Sequence, residues 1–135
     1  MAILLIIISA AFVSCRNRAS EYYWKTIKVT VSAYNSVSWQ TDSLNNIAAW
    51  GDTLKPGMKC VAVSRDLMRQ GLDYNTPLKI EGLPGIYLVK DKMHFRWRNK
   101  IDIYMGRDVK AAKNWGRKKL HISYPVKRDS IQQLP

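Results

Sequence analysis

The chain has little of what metal or phosphate chemistry needs. Two cysteines and two histidines stand among its 135 residues. No Cys pair or His pair falls at ligand spacing, so no zinc or other metal site is expected. No glycine-rich phosphate loop is present, and no cofactor is expected. A Gly-x-Ser-x-Gly elbow is missing, although a Ser-His-Asp triad assembled in space stays open. Acids are scarce: 10 Asp and Glu face 22 Lys and Arg, a formal net charge of +12. So basic a surface attracts nucleic acid, an anionic membrane or an acidic polymer. Precise internal repeats and low-complexity segments are absent.

What the chain does have is apolar content of 47% at a length typical of one domain. Residues 1–15 are apolar and free of charge, but short of the roughly 20 residues a membrane span needs. They fit the apolar region of a secretory signal peptide, without the usual basic start. Cys15, directly after Val13-Ser14, resembles a bacterial lipoprotein cleavage box. On this reading Cys15 is the lipidated first residue of an exported, membrane-anchored protein of the cell envelope. An ordinary signal peptide or an uncleaved anchor are the alternatives. Export removes most nucleic acid from reach, so none is expected as a partner, and no protein partner is expected either. Cys60 is then alone and forms no disulfide within the chain. Its place in Met58-Lys59-Cys60-Val61-Ala62-Val63 suits a small buried residue. A nucleophilic Cys60 would need a neighbouring histidine, and His94 and His121 are distant in sequence.

Residues 16–26 read as a tether. Ile27–Tyr34 alternates strictly, as a half-buried strand does. Asn35–Asp52 is a long polar loop, of the kind that is often functional. Further strands are expected at Met58–Val63, Thr76–Gly82, Ile86–Val89, Lys100–Met105 and Leu120–Tyr124. Two short helices are expected between them. One spans Ser64–Gly71, capped by Ser64 and stopped by Gly71. The other spans Arg107–Gly116, with Asp108 at its start and Gly116 at its end. Residues 125–135 read as a tail. Five or six short strands with two helical insertions imply an all-β fold, a small β-barrel.

Three acids are the better lead to chemistry. Asp66, Asp91 and Asp102 each stand at or just beyond an apolar strand. Asp102 lies between Ile101 and Ile103, where strands are depleted in Asp. If the three converge, their repulsion keeps one protonated, as general acid catalysis requires. Pairing with the abundant Lys and Arg is the alternative. Between the last two acids, Lys92–Lys100 interleaves cations with Phe95 and Trp97. That mixture suits sugar faces, anionic glycans and nucleobases alike. A solvated basic hairpin would look the same.

Val63-Ser64-Arg65-Asp66-Leu67, Val89-Lys90-Asp91-Lys92, Lys100-Ile101-Asp102-Ile103-Tyr104-Met105-Gly106 and Trp115-Gly116 together resemble the 3D domain family, named for three aspartates. Thr30–Ser36 and Gln40-Thr41-Asp42 resemble it too, so the likeness covers residues 27–124. The resemblance implies a six-stranded double-psi β-barrel acting on peptidoglycan glycan strands, as in membrane-bound lytic transglycosylase A. It implies Asp102 as general acid and base, with Asp91 and Asp66 raising its pKa. Tyr34, Gln40, Thr41, Lys100 and Trp97 would bind substrate. Cleavage of the β-1,4 MurNAc–GlcNAc bond would leave a 1,6-anhydro product. In place of the family's Gly-Gly-x-Ile-Lys-Gly-type loop, this chain carries the bulky, basic Met93–Asn99. A barrel that binds peptidoglycan or another anionic envelope polymer without cleaving it is the alternative.

Overall fold

The computed structural model describes residues 21–36 and 46–128. Cys15, Gln40 and Thr41 lie outside the described residues, as does all of the expected signal segment. The described elements are β1 (Tyr22–Tyr34), β2 (Cys60–Val63), α1 (Arg65–Arg69), β3 (Pro77–Ile80), β4 (Tyr87–Lys92), β5 (Lys100–Tyr104), α2 (Val109–Trp115) and β6 (Lys118–Lys127). The six strands close into a barrel in the order β1-β5-β2-β4-β3-β6. The β1–β5 and β2–β4 pairs are parallel, and the other four are antiparallel. The fold is the small six-stranded β-barrel with short helical insertions that the sequence leads one to expect.

The period of two along each strand decides which side chains fill the barrel. Val29, Val31, Val61, Val63, Val89, Ile101, Ile103, Ile122 and Tyr124 point inward and pack in one cluster, to which α1 adds Leu67. Residues between them point outward. On β1 these are Thr30, Ser32 and Tyr34, and on β5 they are Lys100, Asp102 and Tyr104. A second, smaller apolar cluster therefore forms outside the barrel wall, where Ala48, Leu54 and Met58 lie on Cys60, Tyr34 and Tyr104.

Three local details differ from the sequence reading. β1 begins at Tyr22 rather than Ile27, so part of the expected tether is strand. Its partner β6 runs on to Lys127 and takes up the start of the expected tail, pairing Tyr22 with Lys127. Tyr and Trp at 22–24 favour strand, and Lys79 Nζ rests 4.6 Å from the Trp24 ring centre. Ser64 stands at the start of α1 but does not cap it. Its Oγ instead accepts the Lys100 N–H at 3.0 Å, tying β2 to β5. Asp108 does cap α2, accepting the Ala111 N–H at 2.8 Å. No helix among the described residues is long and apolar enough to cross a membrane.

Candidate functional site

Strand β5 lies between β1 and β2. Its Asp102 stands opposite Ser32 on β1 and Ala62 on β2. Ala62 in turn stands opposite Asp91 on β4. Ser32, Asp102, Ala62 and Asp91 thus form one transverse row on the outer face of the barrel.

Asp91 reaches that row because of a bulge. Val61 pairs with Val89, but the next residue, Ala62, pairs with Asp91, so Lys90 is the extra residue. In a regular ladder Lys90 would face Ala62. A shift of one residue exchanges the two faces of a strand, and bulges commonly re-aim a side chain next to a functional site. The small Ala62 side chain leaves the two acids on either side of it.

Each acid has a different set of partners. Asp102 Oδ1 accepts the Ser32 hydroxyl and lies 3.4 Å from Lys100 Nζ. Lys100 is 8% exposed, and its ammonium stands 4.1 Å from the centre of the Trp97 ring. The cation is thus held between a carboxylate and an aromatic face. Asp91 Oδ1 accepts the N–H groups of Ala49 and Lys92, both at 2.9 Å. The first of these bonds fastens the segment after residue 46 across the row. Asp66 Oδ2 accepts the Asn99 N–H at 2.9 Å, and Asn99 has a left-handed φ of 48°. Burial acts to raise the Asp66 pKa. The nearby Ser64 hydroxyl and the N–H groups of Asn99, Asp66 and Leu67 outweigh it and hold the carboxyl below its ordinary value.

The structure therefore brings Asp91 and Asp102 onto one row and ties Asp66 to the loop before β5. Among the described residues no hydrogen bond joins any two of these three carboxylates. Asp66 thus anchors the left-handed Asn99 turn at the entrance to β5.

Beside the acids lies Tyr34, opposite Tyr104 in register with the two rings 5.5 Å apart. The Tyr104 hydroxyl is paired with Ser36 Oγ at 2.7 Å. The Tyr34 hydroxyl is buried and has no hydrogen-bond partner among the described residues. Burial first, and then the charge of Asp91, pushes its phenol pKa far up. Burial first, and then Asp91, likewise pushes the Cys60 thiol up to about 11. Neither histidine is hydrogen-bonded to Cys60. His121 Nδ1 is 3.0 Å from Glu81 Oε2, and His94 Nδ1 accepts from Arg96 N–H at 3.4 Å. Cys60 is a packing residue, with neither histidine placed to activate it.

The loop between the last two acids folds back on itself. Arg98 Nη1 donates to the Phe95 carbonyl at 2.6 Å. Trp97 turns inward over Lys100, while Phe95 is 64% exposed. Ser32 and Ala62 belong to the site without having been singled out in the sequence. The strict alternation of Thr30, Ser32 and Tyr34 carries the signal for the first. Ala62 carried only its small size between two valines. No cluster of three or more His, Cys, Asp or Glu among the described residues could hold a metal ion.

No protein-family model matches the chain, and no curated protein does. Among solved structures the chain is similar to an expansin mutant from Clavibacter michiganensis in complex with cellohexaose, with a TM-score of 0.45 and 19% sequence identity. The match covers 76% of this chain and 51% of that one, so this chain spans about half the length of that protein.

Proposed function

We propose that this barrel is a binding module for a glycan of the bacterial cell envelope, peptidoglycan or another anionic polymer. The glycan lies over the row Ser32–Asp102–Ala62–Asp91, and export with a lipid anchor at Cys15 keeps the module at the envelope. The observation that carries this reading is hydrogen-bonding capacity left unspent beside the acid row, although Asp52 Oδ2 and Asp66 Oδ1 are also buried without a partner among the described residues. The Tyr34 hydroxyl is buried without a partner. Asp91 and Asp102, whose charges both act on that phenol, each use only Oδ1 among the described residues. Buried polar groups are almost always paired, and a ligand rich in hydroxyls supplies the missing partners. The net charge of +12 favours a polymer that carries acid groups. The resemblance to the 3D domain family supports peptidoglycan as the first glycan to try.

Sedimentation with purified sacculi tests this. Wild-type protein is expected to co-sediment, and Tyr34→Phe and Lys100→Met to do so several-fold less. Sedimentation of both variants equal to wild type overturns the proposal.

A second reading is lytic transglycosylase activity. It is favoured by the placement of Asp91 and Asp102 on either side of Ala62. In that chemistry the Asp102 carboxyl gives its proton to the glycosidic oxygen as the bond to C1 breaks. The muramic acid C6 hydroxyl then closes on C1 and returns a proton to Asp102. This reading ranks second because Asp66, the third acid of the set, is off the row and holds the Asn99 turn through Oδ2. Release of 1,6-anhydro-muropeptides from sacculi, abolished in Asp102→Asn, would establish it. Digests free of that product across a range of pH would remove it.

A further inference from the structure

A cleft of about 1070 Å³ lies away from the acid row, where the ends of β1 and β6 overhang the segment that follows α1. Tyr22, Tyr23 and Tyr74 line it together with Lys25, Arg69 and Lys127, and among the described residues no acidic side chain lines it. The acid at its rim, Glu21, pairs with Lys127 at 3.8 Å, with both side chains more than half exposed. Such a surface pair is weak and readily exchanged. A phenol-lined cleft with three cations fits a ligand whose rings offer an apolar C–H face and bear carboxylate or phosphate groups. Arg69 can grip such a group through two parallel N–H donors.

The cleft is also connected to the acid row. Tyr74 packs on Trp50 with ring centres 5.1 Å apart. Lys92 Nζ lies 5.6 Å from the Trp50 ring centre, and Lys92 follows Asp91. Lys90 Nζ stands 5.0 Å from the Tyr74 ring centre. Trp50, Lys90 and Lys92 thus link Tyr74 to the residues on either side of Asp91.

We propose that this cleft is a second binding site, for an anionic polysaccharide, and that one glycan chain can span it and the acid row. The inference rests on the glycan reading and adds a subsite on a different part of the barrel. Its test uses isotope-labelled protein titrated with polygalacturonate, with a neutral cello-oligosaccharide as control. Amide resonances of Gly71 and Thr76 report the cleft, and those of Ser32 and Asp102 report the row. The expected result is movement of both sets with polygalacturonate and of neither cleft amide with the neutral sugar. Arg69→Glu combined with Lys127→Glu is expected to weaken the response of the cleft amides about tenfold, the equivalent of 1.4 kcal/mol. Tyr74→Leu, which keeps every charge, is expected to weaken it as well. Tyr34→Phe should leave the cleft response in place. Movement of the row amides alone overturns the second site and leaves the first. Movement of the cleft amides alone retains the cleft as a site and overturns the span to the row. A cleft that answers to anionic vesicles or single-stranded DNA but not to polygalacturonate also overturns the proposal.

Discussion

Replacing Tyr34 by Phe removes one oxygen atom and separates function from stability. The ring keeps its packing against Tyr104, 5.5 Å away, so no cavity forms. What goes is a hydroxyl that is buried without a partner among the described residues. Leaving such a group unsatisfied costs about 1–3 kcal/mol. The substitution should therefore stabilise the free protein, by about 1 kcal/mol at the low end of that range. For a domain of this size about 1 kcal/mol raises Tm by roughly 4 °C. The same change should weaken glycan binding by a factor of about 5–10, since a ligand hydroxyl loses its partner. Thermal unfolding followed by circular dichroism gives the first quantity, and titration with solubilised glycan gives the second. A variant that is both less stable and unchanged in binding would refute the reasoning, because the hydroxyl would then have a structural partner and no ligand.

Other perturbations reach other parts of the molecule. Ile101 is fully buried in the barrel, and Ile101→Ala should cost about 2–5 kcal/mol in urea unfolding, the usual range for that truncation. The Cys60 thiol is fully buried and its pKa stands raised, at about 11 against an ordinary 9.0. A raised folded-state pKa means that this contribution to stability is whole below pH 9 and is lost as pH climbs towards 11. In a Cys15→Ser background, thiol labelling at pH 8 should proceed only as fast as the barrel opens, and labelling at the rate of a free thiol would contradict that burial. The Asp66 pKa stands lowered from 3.8, so its contribution is present above that value and is lost as pH falls below it. Asp66→Asn should thus lower Tm at pH 7, and the gap from wild type should close towards pH 2. A gap independent of pH would show that the Asn99 turn does not depend on the carboxylate.

Much of the barrel was legible because its strands are short and their inward residues are β-branched. Val29 and Val31, Val61 and Val63, and Ile101 and Ile103 each announce an inward face. The ends of β1 and β6 were harder to read. Tyr22–Thr26 and Pro125–Lys127 carry few aliphatic residues, and what holds them in strand is pairing with each other, which no single segment displays. The site was legible in part for the same reason. Asp102 stands out among isoleucines in its own segment. That Asp91 shares its row depends on a bulge between β2 and β4, and register between strands is a property of two segments at once. Asp66 looked like a third partner in sequence. Its bond to Asn99 depends on a left-handed turn in a loop rich in Arg and aromatic residues, where no glycine marked the position.

The wiring of the barrel also sets when it can form. β1, the first strand made, pairs along one edge with β5 and along the other with β6, the last strand. A chain still lacking Lys118–Lys127 has the longest ladder of the molecule unmade. Closing so large a loop costs entropy before any contact repays it, and topologies dominated by such distant pairings fold slowly. The barrel therefore cannot shut until synthesis, at roughly 5–20 residues per second, has passed Lys127. Until that moment the aromatic β1 segment is an open edge, available to a chaperone or to another copy of itself.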